Sequence, residues 1–413
     1  MVEPSDSQVT VVGGGAVGAA VAYFLASAGY RDLQLIEAAD PASQTTSQAA
    51  GLVGQSRTAV ERTRLTMASA AFYRDIEKAL GYTADWRETG SIRVAMSDAA
   101  IAELRQIAAV AAEAGLDVEL VDARRTQELC PVLEDVSDVK MALWCPTDGY
   151  IQPNSVTSAY LSAARDLGAR VVTGTTVTGI DIATGSPGPY VTGIRTSRGP
   201  VATEMVVNAA GPWAGALARL AGIELPVVPV LHEYFVTSPQ QGWHSGVPCI
   251  RIPEVQVYAR GEGEGILCGG FEHKGTSLDP LEVAVGSGLP AQPNWEVLEG
   301  FAAGLSRFAP AVAEAGIQTV FRGWPAFTPD GRFLVGPVSG LRGFVMAAGC
   351  NAHGVSGSAG LAQHLVESLG GDVSRYVASL SPDRFIPRTW EWADARVQAQ
   401  AVCENYYPLP SAG

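Results

Sequence analysis

The sequence predicts an α/β fold in which a discontinuous parallel-sheet domain is interrupted by a domain built on an antiparallel sheet. Three observations carry this prediction. A strand, a glycine-rich turn and a helix open the chain, and an apolar strand of the same kind returns at 204–210. Between about 225 and 325, several strands follow one another without a clear helical pattern. Parallel pieces separated by such a stretch are typical of an α/β domain with an insertion.

The opening unit reads VTVVGGGAVG over residues 9–18. Its β-branched residues predict a buried strand, and apolar residues at helical spacing predict a helix over 17–28. Gly13, Gly15 and Gly18 form the pattern G-x-G-x-x-G. The first glycine permits the tight turn, the second lets a pyrophosphate approach the backbone, and the third lets helix and strand pack closely. The helix N-terminus supplies N–H groups and a positive dipole to the phosphates.

An acidic residue follows the second predicted strand, Leu33–Ile36, at Glu37. A glycine-rich turn alone is weak support for a ligand, because such turns also occur without one. A strand before the turn, a helix after it and an acid about 20 residues on together favour a Rossmann-like dinucleotide site. The acid binds ribose hydroxyl groups and disfavours a 2′-phosphate, so NADP is not expected.

Composition restricts the other function classes. The chain has 413 residues, of which 47% are apolar, which is enough to bury the cores of two domains. Its formal charge of −14 argues against nucleic acid or an anionic membrane as partner. No apolar run reaches the roughly 18–20 residues of a membrane span, and the polar, acidic start is unlike a targeting signal. We therefore expect a cytoplasmic protein.

The cysteines show no C-x-x-C pairing, which favours reduced, buried thiols over a metal site or a disulfide framework. They stand at positions 130, 145, 249, 268, 350 and 403.

The remaining elements follow from local patterns. Helices are predicted over 63–80, 98–114, 124–129, 154–167 and 357–369. Strands are predicted over 91–96, 170–172, 177–181, 190–196, 204–210, 229–237, 255–259, 266–270 and 343–348. We place the nucleotide-binding domain at 1–90, 148–225 and 325–385, the substrate or cap domain at 91–147 and 226–324, and a C-terminal tail at 386–413.

A second glycine-rich turn lies near the far end of the chain, where residues 343–360 read GFVMAAGCNAHGVSGSAG. A dinucleotide site in general does not need a second strand–loop–helix unit. A site for a flavin dinucleotide does, because it must also hold the flavin ring. Its long isoalloxazine ring is held away from the adenine, and the N1/C2=O edge becomes negative on reduction. N–H groups at a helix start stabilise that charge.

Taken in order, the motifs of this chain resemble the D-amino-acid-oxidase-like FAD oxidoreductases, in the branch of glycine oxidase and of sarcosine and dimethylglycine dehydrogenases. The resemblance covers nearly the whole chain. Its segments are GGGAVG with Glu37, TTSQAAGL (45–52), DGYIQP (148–153), NAAGPWA (208–214), PVLHEY (229–234), GGFE (269–272), TPDG (328–331) and AAGCNAHGVS (347–356).

The resemblance implies an FAD enzyme that oxidises the C–N bond of glycine-type or N-substituted (secondary) amino acids by hydride transfer to flavin N5. The imine then hydrolyses to an amine plus glyoxylate or formaldehyde, and O2 or an electron-transfer partner is the acceptor. Two alternatives stay open: oxidation of a 2-hydroxyacid, and a flavin-containing electron-transfer or scaffold subunit.

Two departures from the family pattern bear on how the flavin is held. Sarcosine and dimethylglycine dehydrogenases bond the flavin through a histidine at the position of Gln48, and monomeric sarcosine oxidases use a cysteine that falls near Gly323. We therefore expect noncovalent FAD. The larger relatives also carry a folate-binding domain, and capture of a one-carbon unit by folate is not expected here.

The catalytic candidates come from motifs that the resemblance covers. His232 is the first candidate for a proton acceptor or substrate-orienting group, and the resemblance places its counterpart over the flavin with a tyrosine that matches Tyr258. Tyr234 is expected on the same side of its strand as His232. His353 is expected to polarise the flavin ring or to gate oxygen, its alternative role being to cap the following helix. For His232 the alternative is a hydrogen-bonded histidine in a half-buried strand, and for Tyr258 it is a tyrosine of the core.

A carboxylate substrate favours a bidentate arginine. Glycine oxidases carry an arginine where this chain has Trp324, which argues against free glycine and offers apolar surface to a bulkier N-substituent. Arg57, Arg260 and Arg322 are the candidate replacements.

The resemblance also implies a set of FAD contacts. For the pyrophosphate and adenosine they are Gly13, Gly14, Gly15, Ala16, Val17, Gly18, Glu37, Ala38, Val177, Gly211 and Trp213. For the ribityl chain and flavin they are Thr45, Thr46, Gln48, Ala50, Gly51, Leu52, Gly349, Asn351, Ala352, His353, Gly354 and Val355.

Overall fold

A computed structural model of the chain describes residues 2–283, 285, 292–386 and 388–407. Its strands are β1 (Ser7–Val12), β2 (Leu33–Ile36), β3 (Leu52–Val53), β4 (Ser91–Ala95), β5 (Glu119–Val121), β6 (Met141–Cys145), β7 (Gly149–Tyr150), β8 (Arg170–Val172), β9 (Val177–Gly185), β10 (Gly188–Thr196), β11 (Gly199–Asn208), β12 (Val228–Pro229), β13 (His232–Thr237), β14 (Cys249–Ile252), β15 (Val257–Glu262), β16 (Gly265–Gly270), β17 (Ile317–Gly323), β18 (Ala326–Phe327), β19 (Leu334–Pro337) and β20 (Phe344–Ala348). Its helices are α1 (Ala16–Ser27), α2 (Val60–Arg74), α3 (Ile76–Leu80), α4 (Asp98–Ala114), α5 (Ala123–Leu129), α6 (Pro153–Asp166), α7 (Ala214–Leu220), α8 (Trp295–Ser306), α9 (Ala311–Glu314), α10 (Ser358–Ser368), α11 (Arg375–Ser379) and α12 (Trp392–Glu404).

The first sheet has the order β19-β20-β11-β1-β2-β8, and the pairings from β20 to β8 are parallel. Its central strand β1 lies between β11 and β2, so chain segments about 170 to 200 residues apart meet in one sheet. Helices α6 and α10 pack against α1, whose inner face is fully buried. The discontinuous α/β fold that the sequence predicts is confirmed.

The start of α1 lies unusually close to the ends of β1 and β11. A Cβ atom at Gly18 would lie 1.9 Å from the carbonyl oxygen of Gly13, and one at Gly13 would lie 2.4 Å from the carbonyl oxygen of Ala209. Gly13 also has a φ of +113°, which side chains disfavour. The glycines therefore fix the distance between helix and sheet at the point where the dinucleotide motif lies.

The second sheet has the order β17-β13-β16-β15-β14-β4-β6-β5. It is antiparallel, as predicted, except that β14 pairs with β4 in parallel. These two strands come from distant chain segments, so no hairpin sets their relative direction. All strands of this sheet lie within 91–147 or 226–324, the segments that the sequence analysis assigns to the substrate or cap domain.

The structure corrects several element bounds. The helix predicted over 63–80 is two helices that meet at Asp75, and the strand predicted over 229–237 is two strands that pair in different sheets. The sequence analysis did not predict the strands β3, β5, β6, β7, β14, β17, β18 and β19 or the helices α7, α8, α9, α11 and α12. The predicted tail contains α12, which packs against β12 and β18, while residues 408–413 lie outside the described part of the chain.

Among the described helices, none is long and apolar enough to cross a bilayer.

Two helical glycines give a paired test of the close approach at α1. Gly300, in α8, is exposed and has no atom within 4 Å of its Cβ position. Gly300→Ala should therefore stabilise the fold by about 0.5–1 kcal/mol through helix propensity. Gly18→Ala should destabilise it by about 1–3 kcal/mol, because the same methyl group meets backbone. Urea unfolding of both variants measures the signs, and equal signs would contradict this packing.

Candidate active site

Two cavities at the carboxyl ends of the first sheet's parallel strands form one continuous groove. We call them the nucleotide cavity, which Glu37, Ala38, Val177 and Trp213 line, and the central cavity, which Gln48, His232, Tyr258 and His353 line. Six residues line both: Gly15, Thr45, Thr46, Ala209, Gly211 and Pro212. The groove therefore passes the start of α1 and is suited to one extended ligand.

Glu37 is fixed by backbone groups in the wall of the nucleotide cavity. Its Oε2 accepts a hydrogen bond from the Gly14 N–H at 2.6 Å, and its Oε1 accepts one from the Ala39 N–H at 2.8 Å. A carboxylate has lone pairs for about four hydrogen bonds, so capacity remains for ribose hydroxyl groups. The Ala16 N–H donates to the Thr46 hydroxyl at 3.1 Å, which fixes the loop after β2 against α1.

Gln48 and Gly323 lie side by side in the central cavity. A Cβ atom at Gly323 would lie 3.1 Å from the Cβ of Gln48. The two positions that the resemblance assigns to covalent attachment therefore meet, and neither carries a nucleophile. Cys350 also lines this cavity, and burial raises the pKa of its thiol to about 12, so it is not a thiolate at neutral pH.

His232 and Tyr258 form a hydrogen-bonded pair in the central cavity. The His232 Nε2 lies 2.7 Å from the Tyr258 hydroxyl oxygen, and its ring lies 4.8 Å from the ring of Phe271. Burial lowers the pKa of His232 to about 4 and raises the pKa of Tyr258 well above its ordinary value. Both side chains are therefore uncharged at neutral pH.

His353, in the loop before α10, is also held in one protonation state. Its Nδ1 lies 2.7 Å from the carbonyl oxygen of Asn351, which accepts only, so Nδ1 carries the proton. Its Nε2 then accepts a hydrogen bond from the Tyr406 hydroxyl at 2.9 Å. Burial holds the pKa of His353 well below its ordinary value, and nearby Arg57 lowers it further.

Of the predicted substrate-binding residues, Arg57 and Trp324 line the central cavity, whereas Tyr234 and Arg322 do not. Tyr234 is 3% exposed, and its ring stacks on Phe321 at 4.9 Å. Arg322 forms a buried ion pair with Glu233. The structure therefore gives no support to a direct substrate contact by Tyr234 or Arg322.

Most of the predicted cofactor contacts line the groove. The exceptions are Gly14, Gly18, Gly349 and Asn351. Their contacts shape the loops instead: the Gly14 N–H binds Glu37, and Asn351 Oδ1 accepts a hydrogen bond from the Thr328 N–H at 2.9 Å.

Among the charged and aromatic side chains that line the central cavity, the sequence analysis missed four: Arg251, Phe271, Tyr406 and Tyr407. Arg251 had a detectable signal, because it is a cation within the otherwise apolar strand CIRI (249–252). Tyr406 and Tyr407 follow α12, and no sequence pattern indicated that they belong to the site. The Tyr406 ring stacks on Phe271 at 3.7 Å, so the end of the described chain forms part of the cavity wall.

Arg57 and Arg251 are the cations in the lining of the central cavity, counted over the described residues. Within that same part of the chain, neither has a carboxylate oxygen within 4 Å. Arg260, the third candidate from the sequence, is paired with Glu262 and donates to the Ala50 carbonyl at 2.9 Å. Among the described residues, Arg57 and Arg251 therefore carry the positive charge of the central cavity that no ion pair neutralises.

Fold and groove together define a flavoprotein of the DAO family, "FAD dependent oxidoreductase", whose family model matches residues 8–368, and the chain belongs to this family. It is 31% identical over 364 residues to "Sarcosine dehydrogenase, mitochondrial" of Homo sapiens, covering 88% of this chain and 39% of that protein. It is also 31% identical over 364 residues to "4-methylaminobutanoate oxidase (formaldehyde-forming)" of Paenarthrobacter nicotinovorans, covering 88% and 44%. The chain thus spans about two fifths of the length of these relatives.

A solved structure, "L-proline dehydrogenase from P.horikoshii", shows the same fold. It superposes with a TM-score of 0.82 at 24% identity and covers 93% of this chain and 98% of that one.

The cofactor of this family is FAD, and the groove fits it. The nucleotide cavity offers the Glu37 carboxylate and the start of α1 to the adenosine and pyrophosphate, and the central cavity offers Gln48 and the loop before α10 to the flavin. The Trp324 Nε1 is buried without a partner among the described residues, in the lining of the central cavity. A buried donor of this kind favours a polar ligand edge.

We expect FAD to be released on acid precipitation of the FAD-loaded protein, because Gln48, Gly323 and the protonated Cys350 thiol offer no covalent link. Absorbance of the supernatant and of the washed pellet measures the partition. Gln48→His, which introduces the residue that the resemblance associates with covalent attachment, is the matched comparison. Yellow colour that stays with the unmodified protein's pellet would contradict the noncovalent assignment.

Proposed function

We propose that the protein catalyses the FAD-dependent oxidation of the C–N bond of N-substituted (secondary) amino acids. The observation that carries this proposal is the central cavity itself, in which an uncharged His–Tyr pair lies within the same pocket as unpaired guanidinium groups. An amine next to a carboxylate needs both environments. The names of the two relatives, sarcosine dehydrogenase and 4-methylaminobutanoate oxidase, refer to N-methyl amino acids and support this substrate class.

The uncharged pair favours a neutral amine. Bound FAD supplies the two-electron oxidation, by accepting a hydride from the carbon next to nitrogen. That carbon gives up hydride readily only when the nitrogen lone pair is free. The burial that lowers the pKa of His232 also disfavours an ammonium ion beside it, so the amine binds without its proton. His232 and Tyr258 then orient the nitrogen, rather than acting as a strong base.

Arg251 and Arg57 bind the carboxylate. Burial lowers the pKa of Arg57 to about 10, which leaves the guanidinium protonated at neutral pH. Trp324, which is 5% exposed, and Phe271 supply apolar walls for the N-substituent. After oxidation, water adds to the C=N bond and gives an amine plus an aldehyde, which is formaldehyde for an N-methyl group and glyoxylate for a glycine carbon. O2 or an electron-transfer partner takes up the electrons.

His232→Ala tests the orienting pair. We expect anaerobic flavin reduction by sarcosine or an N-alkylglycine to slow at least tenfold, about 1.4 kcal/mol of barrier, while the FAD colour is retained. Stopped-flow bleaching measures the rate, and re-aeration with a peroxide assay identifies the acceptor. His273→Ala, at an exposed position, is the control. An unchanged reduction rate in His232→Ala would remove the residue from the mechanism.

Arg251→Gln tests the carboxylate site. A lost charged hydrogen bond should raise the substrate dissociation constant about tenfold to a hundredfold, with a smaller effect on the limiting reduction rate. The concentration dependence of bleaching separates the two quantities. Arg105→Gln removes an exposed charge on α4 and should leave both unchanged. Equal affinity in Arg251→Gln and the unmodified protein would assign the carboxylate to another group.

A further inference from the structure

A third cavity, which we call the arginine chamber, adjoins the central cavity. Five residues line both: Arg57, Arg251, His353, Tyr406 and Tyr407. The chamber is also lined by Ser56, Arg62 and Arg93, and its apolar lining includes Ile107 and Leu143. Nothing in the proposed reaction of a simple N-alkylglycine requires this space.

The carboxylates of the chamber are already engaged. Glu103 forms an ion pair with Arg93 at 2.7 Å, and Asp330 forms one with Arg384 at 2.8 Å. Asp148 accepts three hydrogen bonds, from the Gln55 N–H, the Gln55 side-chain amide and the Ser91 hydroxyl, at 2.8, 3.0 and 2.6 Å. These donors are uncharged, so Asp148 keeps its negative charge and offsets part of the positive charge of Arg57 and Arg251.

The positive charge of the chamber therefore exceeds its negative charge. Arg57, Arg62 and Arg251 have no carboxylate oxygen within 4 Å in the part of the chain that the structure describes. Three unpaired guanidinium groups converge here in a chain whose formal charge is −14. An anionic ligand is the complement that such a chamber favours.

Two buried polar atoms in the chamber lining also have no partner. The Arg93 Nε and the Ser56 hydroxyl are both inaccessible to solvent and make no hydrogen bond among the described residues. Both atoms belong to residues that line the chamber, so a rotation of either side chain toward the cavity would offer an unused donor to a ligand that accepts hydrogen bonds.

The second sheet places these groups in line with the reaction site. Arg93 on β4 pairs in register with Arg251 on β14, which pairs in register with Tyr258 on β15. Residues directly opposite on neighbouring strands project on the same face with Cβ atoms about 5 Å apart. The side chains of Arg93, Arg251 and Tyr258 therefore form a row across the sheet, from the arginine chamber to the His232–Tyr258 pair.

We propose that the arginine chamber binds a second acidic group of the substrate, so that the preferred substrates are secondary amino acids whose N-substituent ends in a carboxylate. This inference rests on the proposed function, since it assigns a substrate class to that same site. The first carboxylate lies on Arg251, methylene groups pass the apolar lining, and the second carboxylate is held by Arg62, Arg93 and Ser56.

The test compares two substrates of equal length, N-(3-carboxypropyl)glycine and N-butylglycine, in anaerobic reduction of the FAD-loaded protein. We expect the dicarboxylate to bind at least tenfold more tightly. Arg62→Gln and Ser56→Ala should each reduce this ratio to below threefold. Arg64→Gln removes an exposed charge from the same helix, α2, and should preserve the ratio. A merely structural role of Arg62 would affect both substrates equally and leave the ratio unchanged.

Calorimetric binding of pimelate, which matches the spacing of the two carboxylates and has no amine to oxidise, gives a second measurement that does not depend on turnover. We expect binding to the FAD-loaded protein and at least tenfold weaker binding to Arg62→Gln. Equal reduction by the two amines, with pimelate binding that is absent or insensitive to Arg62→Gln, would overturn the chamber assignment and leave the proposed function standing. No reduction by either amine would overturn the proposed function, and the pimelate measurement would still decide whether the chamber binds diacids.

Discussion

The close approach of α1 to β1 and β11 is the constraint on which the site depends. Gly13 and Gly18 allow backbone to meet backbone where a side chain would collide, and Ala209 closes the contact from the neighbouring strand. Because the helix begins at this point, its N-terminus borders both cavities and joins them into one groove. The Glu37 carboxylate, bound to the Gly14 and Ala39 amides, fixes the next loop to the same turn.

The chemistry of the groove follows from where charge is neutralised and where it is not. Arg260 and Arg322 are held by Glu262 and Glu233, so neither is available to a ligand. His232, Tyr258 and His353 are uncharged, because burial opposes their ionised forms. The positive charge that remains is that of Arg57 and Arg251, with Arg62 in the adjoining chamber. One region of the pocket, at the arginines, therefore favours an anionic group of the ligand. Another region, at the His232–Tyr258 pair, favours an uncharged reacting group.

Much of this arrangement could be predicted from the sequence, because it is local. The glycine turns and the parallel strands of the first sheet are determined by residue patterns within about a dozen positions, and Glu37 follows one of these strands about 20 residues after the first turn. The resemblance to the family added His232 and Tyr258, and the structure brings the two into hydrogen-bond contact.

The rest depended on pairings between distant segments. Arg251 lies opposite Tyr258 through the pairing of β14 with β15, whereas Arg93 joins the same row only through the parallel pairing of β14 with β4, two strands that are distant in the chain. Tyr234 shares a strand face with His232, but two residues along a strand move a side chain about 7 Å, and its ring stacks on Phe321 instead. Arg322 lies in β17 opposite Glu233 on β13, so an ion pair across the sheet removes it from consideration as a free cation.

A crystal structure of the FAD-loaded protein with (methylthio)acetate, in which sulfur replaces the nitrogen of sarcosine, tests the central claim most directly. The account places the flavin ring in the central cavity, with the ligand carboxylate within hydrogen-bond distance of Arg251 or Arg57 and its sulfur beside the His232–Tyr258 pair. A flavin ring outside this cavity, or a carboxylate bound away from both arginines, would contradict it.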